Sequence, residues 1–149
     1  MANGYNELSF NGTTMTLFAV PTYPFGFKIA QFDPGEDPLD IPNIDQATVS
    51  MGVNGNVIAY RNPYTITLTF PLVPGTDEDI CMMNIAEADR IRWGKASVKN
   101  NIQLLVNYPD GKIRTLINGT LTNAPIAYGG ATDGRIKLHS FTVVFGSIV

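Results

Sequence analysis

Few residues in this chain are of types that do chemistry. His139 is the one histidine and Cys81 the one cysteine among 149 residues. A zinc site needs several thiolates, imidazoles or carboxylates converging on one ion, and His139 has no Cys or His at ligand spacing. The Gly-x-Ser-x-Gly elbow of a nucleophilic serine is absent. So are the Gly-x-x-x-x-Gly-Lys phosphate loop and the Gly-x-Gly-x-x-Gly dinucleotide loop. Gly111-Lys112 belongs to a turn, and Asp77, Glu78 and Asp79 sit where a helix dipole favours negative charge. His139 reads as a strand residue with a satisfied hydrogen bond. Cys81 reads as a packed thiol without a disulfide partner, which suits a reducing compartment. The expectation is no enzyme, no metal and no cofactor, so function has to be sought in architecture and assembly.

The elements around these residues are organised by residues 64–95. Tyr64, Ile66, Leu68 and Phe70 alternate with Thr65, Thr67 and Thr69, the period of a half-buried strand. Pro71, Pro74 and Gly75 end it. Thr76 is an N-cap and Asp79 completes a capping-box-like pair. Arg90, Arg92 and Lys95 place positive charge at the far end, and Gly94 sits where a left-handed C′ residue belongs. The spacing predicts a helix over about 77–93, with apolar lines at Ile80, Met83, Glu87 and Ile91 and at Cys81, Ile85 and Ala88. No second helix of this quality is present.

Upstream, Thr14 to Val20 with Asn11-Gly12 predicts an N-terminal hairpin over 5–20. Residues 21–27 read as an aromatic bend, either a core plug or a subunit contact through Tyr23 and Phe25. Residues 27–32 can form a strand. Residues 33–44 hold Pro34, Gly35, Pro38 and Pro42 among Asp33, Glu36, Asp37 and Asp40, and predict an extended acidic loop. That loop is either solvated or an arm that orders on a neighbour. Ala47 to Val53 and Val57 to Arg61 flank Asn54-Gly55 and predict a second hairpin, running on into the Tyr64 strand. Its Thr48 and Ser50 join Thr65, Thr67 and Thr69 in a polar face without charge.

After the helix, Ile102 to Tyr108 and Ile113 to Leu121 flank Pro109-Asp110-Gly111, and residues 124–134 form a Gly-rich loop. In the last strand Ile136 and Leu138 are out of phase with Phe141, Val143 and Phe145, which predicts a β-bulge near His139-Ser140. The fold class is therefore mainly β, an antiparallel sandwich or barrel with a single packed helix. The length fits one domain over 1–149, large enough to fold without a staple.

Net charge is −3, and the basic, aromatic-interleaved footprint of a nucleic-acid grip is absent. No signal peptide and no membrane-spanning run is read from the sequence.

The order of these parts carries a resemblance: a strand pair with a neutral face, one capped helix (TDEDICMMNIAEADRIRWGK), a hairpin across NYPDGK and a closing strand ending HSFTVVFGSIV. Over roughly residues 46–149 it resembles the tail tube proteins of contractile-tailed bacteriophages, which are similar in fold to the type VI secretion tube protein. The resemblance implies stacked hexameric rings around a DNA channel in the virion tail, assembled in the host cytoplasm inside a sheath and on a baseplate. It implies no catalytic residues. It implies that Thr48, Ser50, Thr65, Thr67 and Thr69 face the lumen, that strands continue into neighbouring subunits, and that residues 33–44 reach the next ring. Lys112, Arg114, Arg135 and Lys137 are the basic residues that the acidic loop and helix would meet on another subunit. Two other readings stand beside it: a baseplate or tail-completion protein of the same fold, and a monomeric β-sandwich that binds a ligand or sugar through Trp93, Tyr108 and Tyr128.

Overall fold

Nine elements are found among the described residues. The computed structural model describes residues 12–29 and 39–149. Strands β1 (Thr14–Val20), β2 (Tyr23–Ile29), β3 (Ala47–Met51), β4 (Val57–Arg61) and β5 (Ile66–Leu72) precede helix α1 (Asp77–Asp89). Strands β6 (Asn101–Asn107), β7 (Ile113–Asn123) and β8 (His139–Ile148) follow it. Among the described residues six strands form one antiparallel sheet in the order β2-β1-β6-β7-β8-β5, while β3 and β4 pair only with each other. The sheet does not close into a barrel among the described residues: β2 and β5 are its edges.

Alternation decides which face is buried. Met15, Leu17 and Ala19 of β1, Ile102, Leu104 and Val106 of β6, and Phe141, Val143 and Phe145 of β8 point inward with Ile66, Leu68, Phe70 and Leu72 of β5. Together with Met82 and Ile85 of α1 they make one cluster. Each fully buried side chain of this kind is worth roughly 1.5–3 kcal/mol. Gly119 belongs to this packing: a Cβ there would lie 2.6 Å from the Phe145 ring and 2.7 Å from the Ile102 carbonyl oxygen. Its neighbour Asn118 takes a φ of 57°, at the register shift between β6 and β7.

Several expectations change. The first arm of the predicted 5–20 hairpin lies outside the described residues, as do Asp33, Glu36 and Asp37. The aromatic bend at 21–27 is an edge strand, because after the turn at Pro21 and Thr22 the chain pairs back along β1. Pro71 does not end its strand, since β5 is an edge and a missing N–H costs nothing on the open side. The expected bulge at His139-Ser140 is absent: β8 pairs with β5 without interruption from His139 opposite Leu72 to Phe145 opposite Ile66. The phase change is instead the end of the strand, and Ile136 is exposed in the loop before it. The second hairpin does form, with Gly55 at φ 85° in its turn, but it does not share a sheet with β5.

The helix stops at Asp89, four residues before the expected end, because Arg90 leaves helical geometry at φ −74°, ψ 130°. Gly94 takes its positive φ of 77° in a separate turn between Arg92 and Lys95. The helix buries Asp79, Met82, Ile85 and Ala86, so Ile85 of the expected lines is in the core and Met83 packs against it, while Ile80 and Ile91 face solvent.

Candidate assembly surface

The β3–β4 hairpin presents apolar residues to solvent. Register places Ala47, Val49 and Met51 with Val57, Ala59 and Arg61 on one face, and Thr48 and Ser50 with Ile58 and Tyr60 on the other. Val49 is 63% exposed, Met51 74% and Val57 68%. Val53 in the turn is fully exposed. A lone two-stranded hairpin is marginal in water, and this one has β-branched residues on both faces that no described residue covers.

The outer face of the main sheet is the second feature. Thr67 and Thr69 of β5 lie opposite Val144 and Thr142 of β8. Thr120 of β7, Gln103 of β6 and Thr16 of β1 continue that face, because their neighbours in sequence point inward. Arg114 is the only Lys, Arg, Asp or Glu in strands β1, β5, β6, β7 and β8, and it sits at the start of β7 opposite Val106. The neutral surface is thus broader than the two strands that suggested it. Thr65 is exposed just before β5 and shares its outward phase with Thr67 and Thr69. Thr48 and Ser50 are exposed too, but in the separate hairpin, where Asn62 Nδ2 donates to Thr48 Oγ1 at 3.1 Å.

The charged and aromatic candidates are dispersed. Tyr23 is half-buried, and its hydroxyl accepts from Asn84 Nδ2 at 2.9 Å, so it ties β2 to the helix. Phe25 is 93% exposed on the β2 edge. Asp40 is exposed. Lys112 pairs with Asp110 at 3.8 Å and Arg135 with Asp133 at 3.6 Å, both on the surface, and Arg114 and Lys137 are exposed.

The residues of chemical type are structural here. His139 and Asp79 are both buried, and Nδ1 of the imidazole donates to Oδ1 of the carboxylate at 2.6 Å. The other carboxylate oxygen accepts from the Gly75 N–H at 3.1 Å. Tyr128 stacks on the imidazole at 5.2 Å. The pair pins the first turn of α1 to β8. His139 Nε2 has no partner among the described residues. Burial raises the Cys81 thiol above its usual range, with Asp77 and Glu78 adding to the shift and a Tyr23 hydrogen bond opposing it.

A polar cleft of about 480 Å³ is lined by Asp89, Ser97, Lys99, Asn100, Asn118 and Thr120. Asn100 is buried there: its N–H and Nδ2 donate to Asp89 Oδ1, and its Oδ1 accepts from Thr22. Trp93, Tyr108 and Tyr128 do not line it. No group of His, Cys, Asp and Glu that could hold a metal occurs among the described residues, and no described helix is long and apolar enough to cross a membrane.

The sequence reading missed two devices. Asp79 serves as a buried anchor as well as a dipole partner; the only signal was its lone-histidine counterpart 60 residues away. Lys95 was expected to place positive charge near the helix end, but not to cap it: it lies beyond Asp89 and folds back. Its Nζ donates to the carbonyls of Glu87 at 2.6 Å, Ala88 at 3.1 Å and Arg90 at 3.0 Å.

Comparison with known proteins bears on this architecture. The model of a family described as tail fiber protein gp32 matches residues 6–149. Among solved structures, the tube-terminating cap of the anti-feeding prophage is similar at 18% identity, covering 100% of this chain and 93% of that one with a TM-score of 0.54. The sheath/tube terminator of an extracellular contractile injection system is similar at 15% identity, covering 99% and 98%, TM-score 0.53. A chain of the anti-feeding prophage baseplate is similar at 8% identity, covering 97% and 95%, TM-score 0.56. At these identities the likeness is one of fold. No curated protein sequence matches.

Proposed function

Because this chain belongs to the tail fiber protein gp32 family, we propose that it is a ring-forming structural subunit of a bacteriophage tail tube. In this reading hexameric rings stack around a channel for DNA, with sheath and baseplate proteins as neighbours. The observation that carries it is the β3–β4 hairpin: exposed apolar residues on both faces, which a second copy would cover. Among the described residues β2 and β5 are the sheet's edges and would offer backbone groups for the same purpose, and strand pairing around a ring leaves no edge to aggregate. A head-to-tail contact repeated at a fixed rotation closes a ring.

The neutral outer face, with Thr65, Thr67 and Thr69 at its β5 margin, is the surface that would line the channel. A wall of hydroxyls and amides without a basic row offers a polyanion no counterions to release, so DNA passes without being held. The weak surface pairs of Lys112 and Arg135 can exchange for acidic residues of a neighbour.

A second reading keeps the ring and changes its place. The structural neighbours above include a tube-terminating cap and a sheath/tube terminator, which supports a terminal ring at the end of the tube. Negative-stain electron microscopy of the purified chain separates these readings. Stacked tubes are expected for the tube subunit. Single rings that do not polymerise assign the terminal position, and a monodisperse monomer at high concentration overturns both.

A further inference from the structure

We propose that the groove between the end of helix α1 and the last residues of strand β7 is a docking site for an extended polar strand of a different protein. The site is separate from the ring contacts and does not depend on them.

Strand β7 outruns its neighbour. Its pairing with β6 ends at Gly119 opposite Ile102, and β6 itself begins at Asn101. β7 continues to Asn123, and beyond Gly119 it pairs with β8 alone among the described residues. The β6 side of residues 120–123 is therefore a short open stretch within the sheet, away from the β2 and β5 edges. Backbone N–H and C=O groups left without a ladder partner are a template for an added strand.

A groove follows this stretch. The polar cleft of about 480 Å³ meets a second one of about 170 Å³ at Asp89 and Leu121. Residues 118–124 with Ile126 supply part of the lining, and the helix end with residues of the segment after it supplies the rest. That second wall is held firmly. Asn100, 4% exposed, gives its N–H and Nδ2 to Asp89 Oδ1 and accepts from Thr22. The Lys99 N–H donates to Ser97 Oγ at 3.1 Å. Lys99 and Asn118, at φ 59° and 57°, are the two non-glycine residues with positive φ among those described, and both line the groove. Such backbone is unfavourable for a residue with a side chain and gathers at ligand clamps.

The lining sets the chemistry of the occupant. Its hydroxyls and amides match side chains that can exchange hydrogen bonds, and the open backbone demands an extended chain. Arg90 is held by Glu87, and Asp89 by Asn100. The exposed Lys99 ammonium has no acidic partner among the described residues, so one acid on the incoming strand complements it. The described strands of this chain match poorly. Val49, Met51, Val57 and Ile58 make β3 and β4 apolar, and β2 and β5 carry Pro24 and Pro71, which cannot donate to a ladder. The strand therefore comes from another protein.

The probe is a synthetic seven-residue peptide of threonine and asparagine around one central glutamate, blocked at both ends. Added to the full chain, it should slow amide exchange at residues 120–124 and leave β2 and β5 unchanged. N-methylation of alternate peptide nitrogens should weaken binding by about tenfold or more, because it removes several backbone hydrogen bonds. Lys99→Ala should weaken binding about two- to fivefold, as should glutamine in place of the peptide glutamate, the scale of one exposed ion pair. Both changes together should cost no more than either alone. Lys99 is exposed, so its substitution keeps the fold, which circular dichroism verifies. Rings should form equally well with peptide bound; their loss would make the groove part of the ring contact and overturn its separate role. Binding that ignores N-methylation, protection at β2 or β5 instead, or no binding at millimolar peptide overturns the site. Protection of residues 120–124 that grows with protein concentration alone assigns the groove to a second copy and overturns the foreign strand.

Discussion

At the scale of single residues, the decisive contact is the Asp79–His139 pair. Both side chains are buried, so removing one strands the other in the core. Asp79→Ala is expected to destabilise the chain by about 3–5 kcal/mol, measured by urea unfolding. The double variant Asp79→Leu/His139→Phe should recover most of that loss, because an apolar pair of similar bulk carries no desolvation cost. Cys81 is expected to behave as a sluggish thiol. Burial lifts its titration, so less thiolate is present at neutral pH than in a free cysteine. Its alkylation rate should lie below that of the urea-unfolded chain at pH 7–8 and should keep rising with pH beyond the usual thiol range. Equal rates folded and unfolded would contradict the packing of Cys81 against Tyr23.

At the scale of elements, helix α1 was legible at its start and not at its end. Thr76 caps it as expected, its hydroxyl accepting from the Asp79 N–H at 3.4 Å. Asp79, Met82, Ile85 and Ala86 form the inward line, yet a pattern of apolarity does not register a line that opens with aspartate. The helix therefore looked rotated from the sequence. Its C-terminus is satisfied by Lys95 from outside, a contact that depends on the turn at 92–95 folding back. Lys95→Met should remove this cap and destabilise the chain by about 1.5–3 kcal/mol, the scale of hydrogen bonds to a charged group. It should also loosen the Trp93 turn, read as faster amide exchange at residues 92–95. Strands β6, β7 and β8 were legible because each buries one face and reads with period two. Strand β2 was not: Pro24, Phe25, Gly26 and Phe27 break the alternation, and only the pairing with β1 makes them a strand.

At the scale of the whole molecule, exposed apolar surface is the feature that a lone copy does not explain. Val49→Asp with Met51→Asp places two charges on the hairpin without touching the core cluster. The variant should fold with unchanged unfolding midpoint and fail to form rings or tubes by electron microscopy. Tubes from this variant would remove the hairpin from the interface. Assembly should also respond to ionic strength, since the candidate charge contacts of Lys112, Arg114, Arg135 and Lys137 are exposed and screened by salt within about 10 Å at 0.1 M. Tube formation unchanged between low and high salt would discard those contacts.

By itself the sequence determined the mainly β class, the single helix with its capped start, the Asn54-Gly55 and Pro109-Asp110-Gly111 turns, and the uncharged character of the threonine face. These are local properties: period, cap and turn chemistry are written in neighbouring residues. Only the tertiary structure decided that the β3–β4 hairpin stands apart from the main sheet and that the neutral face spans five strands. It alone brought Asp79 to His139 and Lys95 back to the helix end. Each of these joins residues far apart along the chain or on different elements, and their pairing depends on how the whole sheet closes over its core.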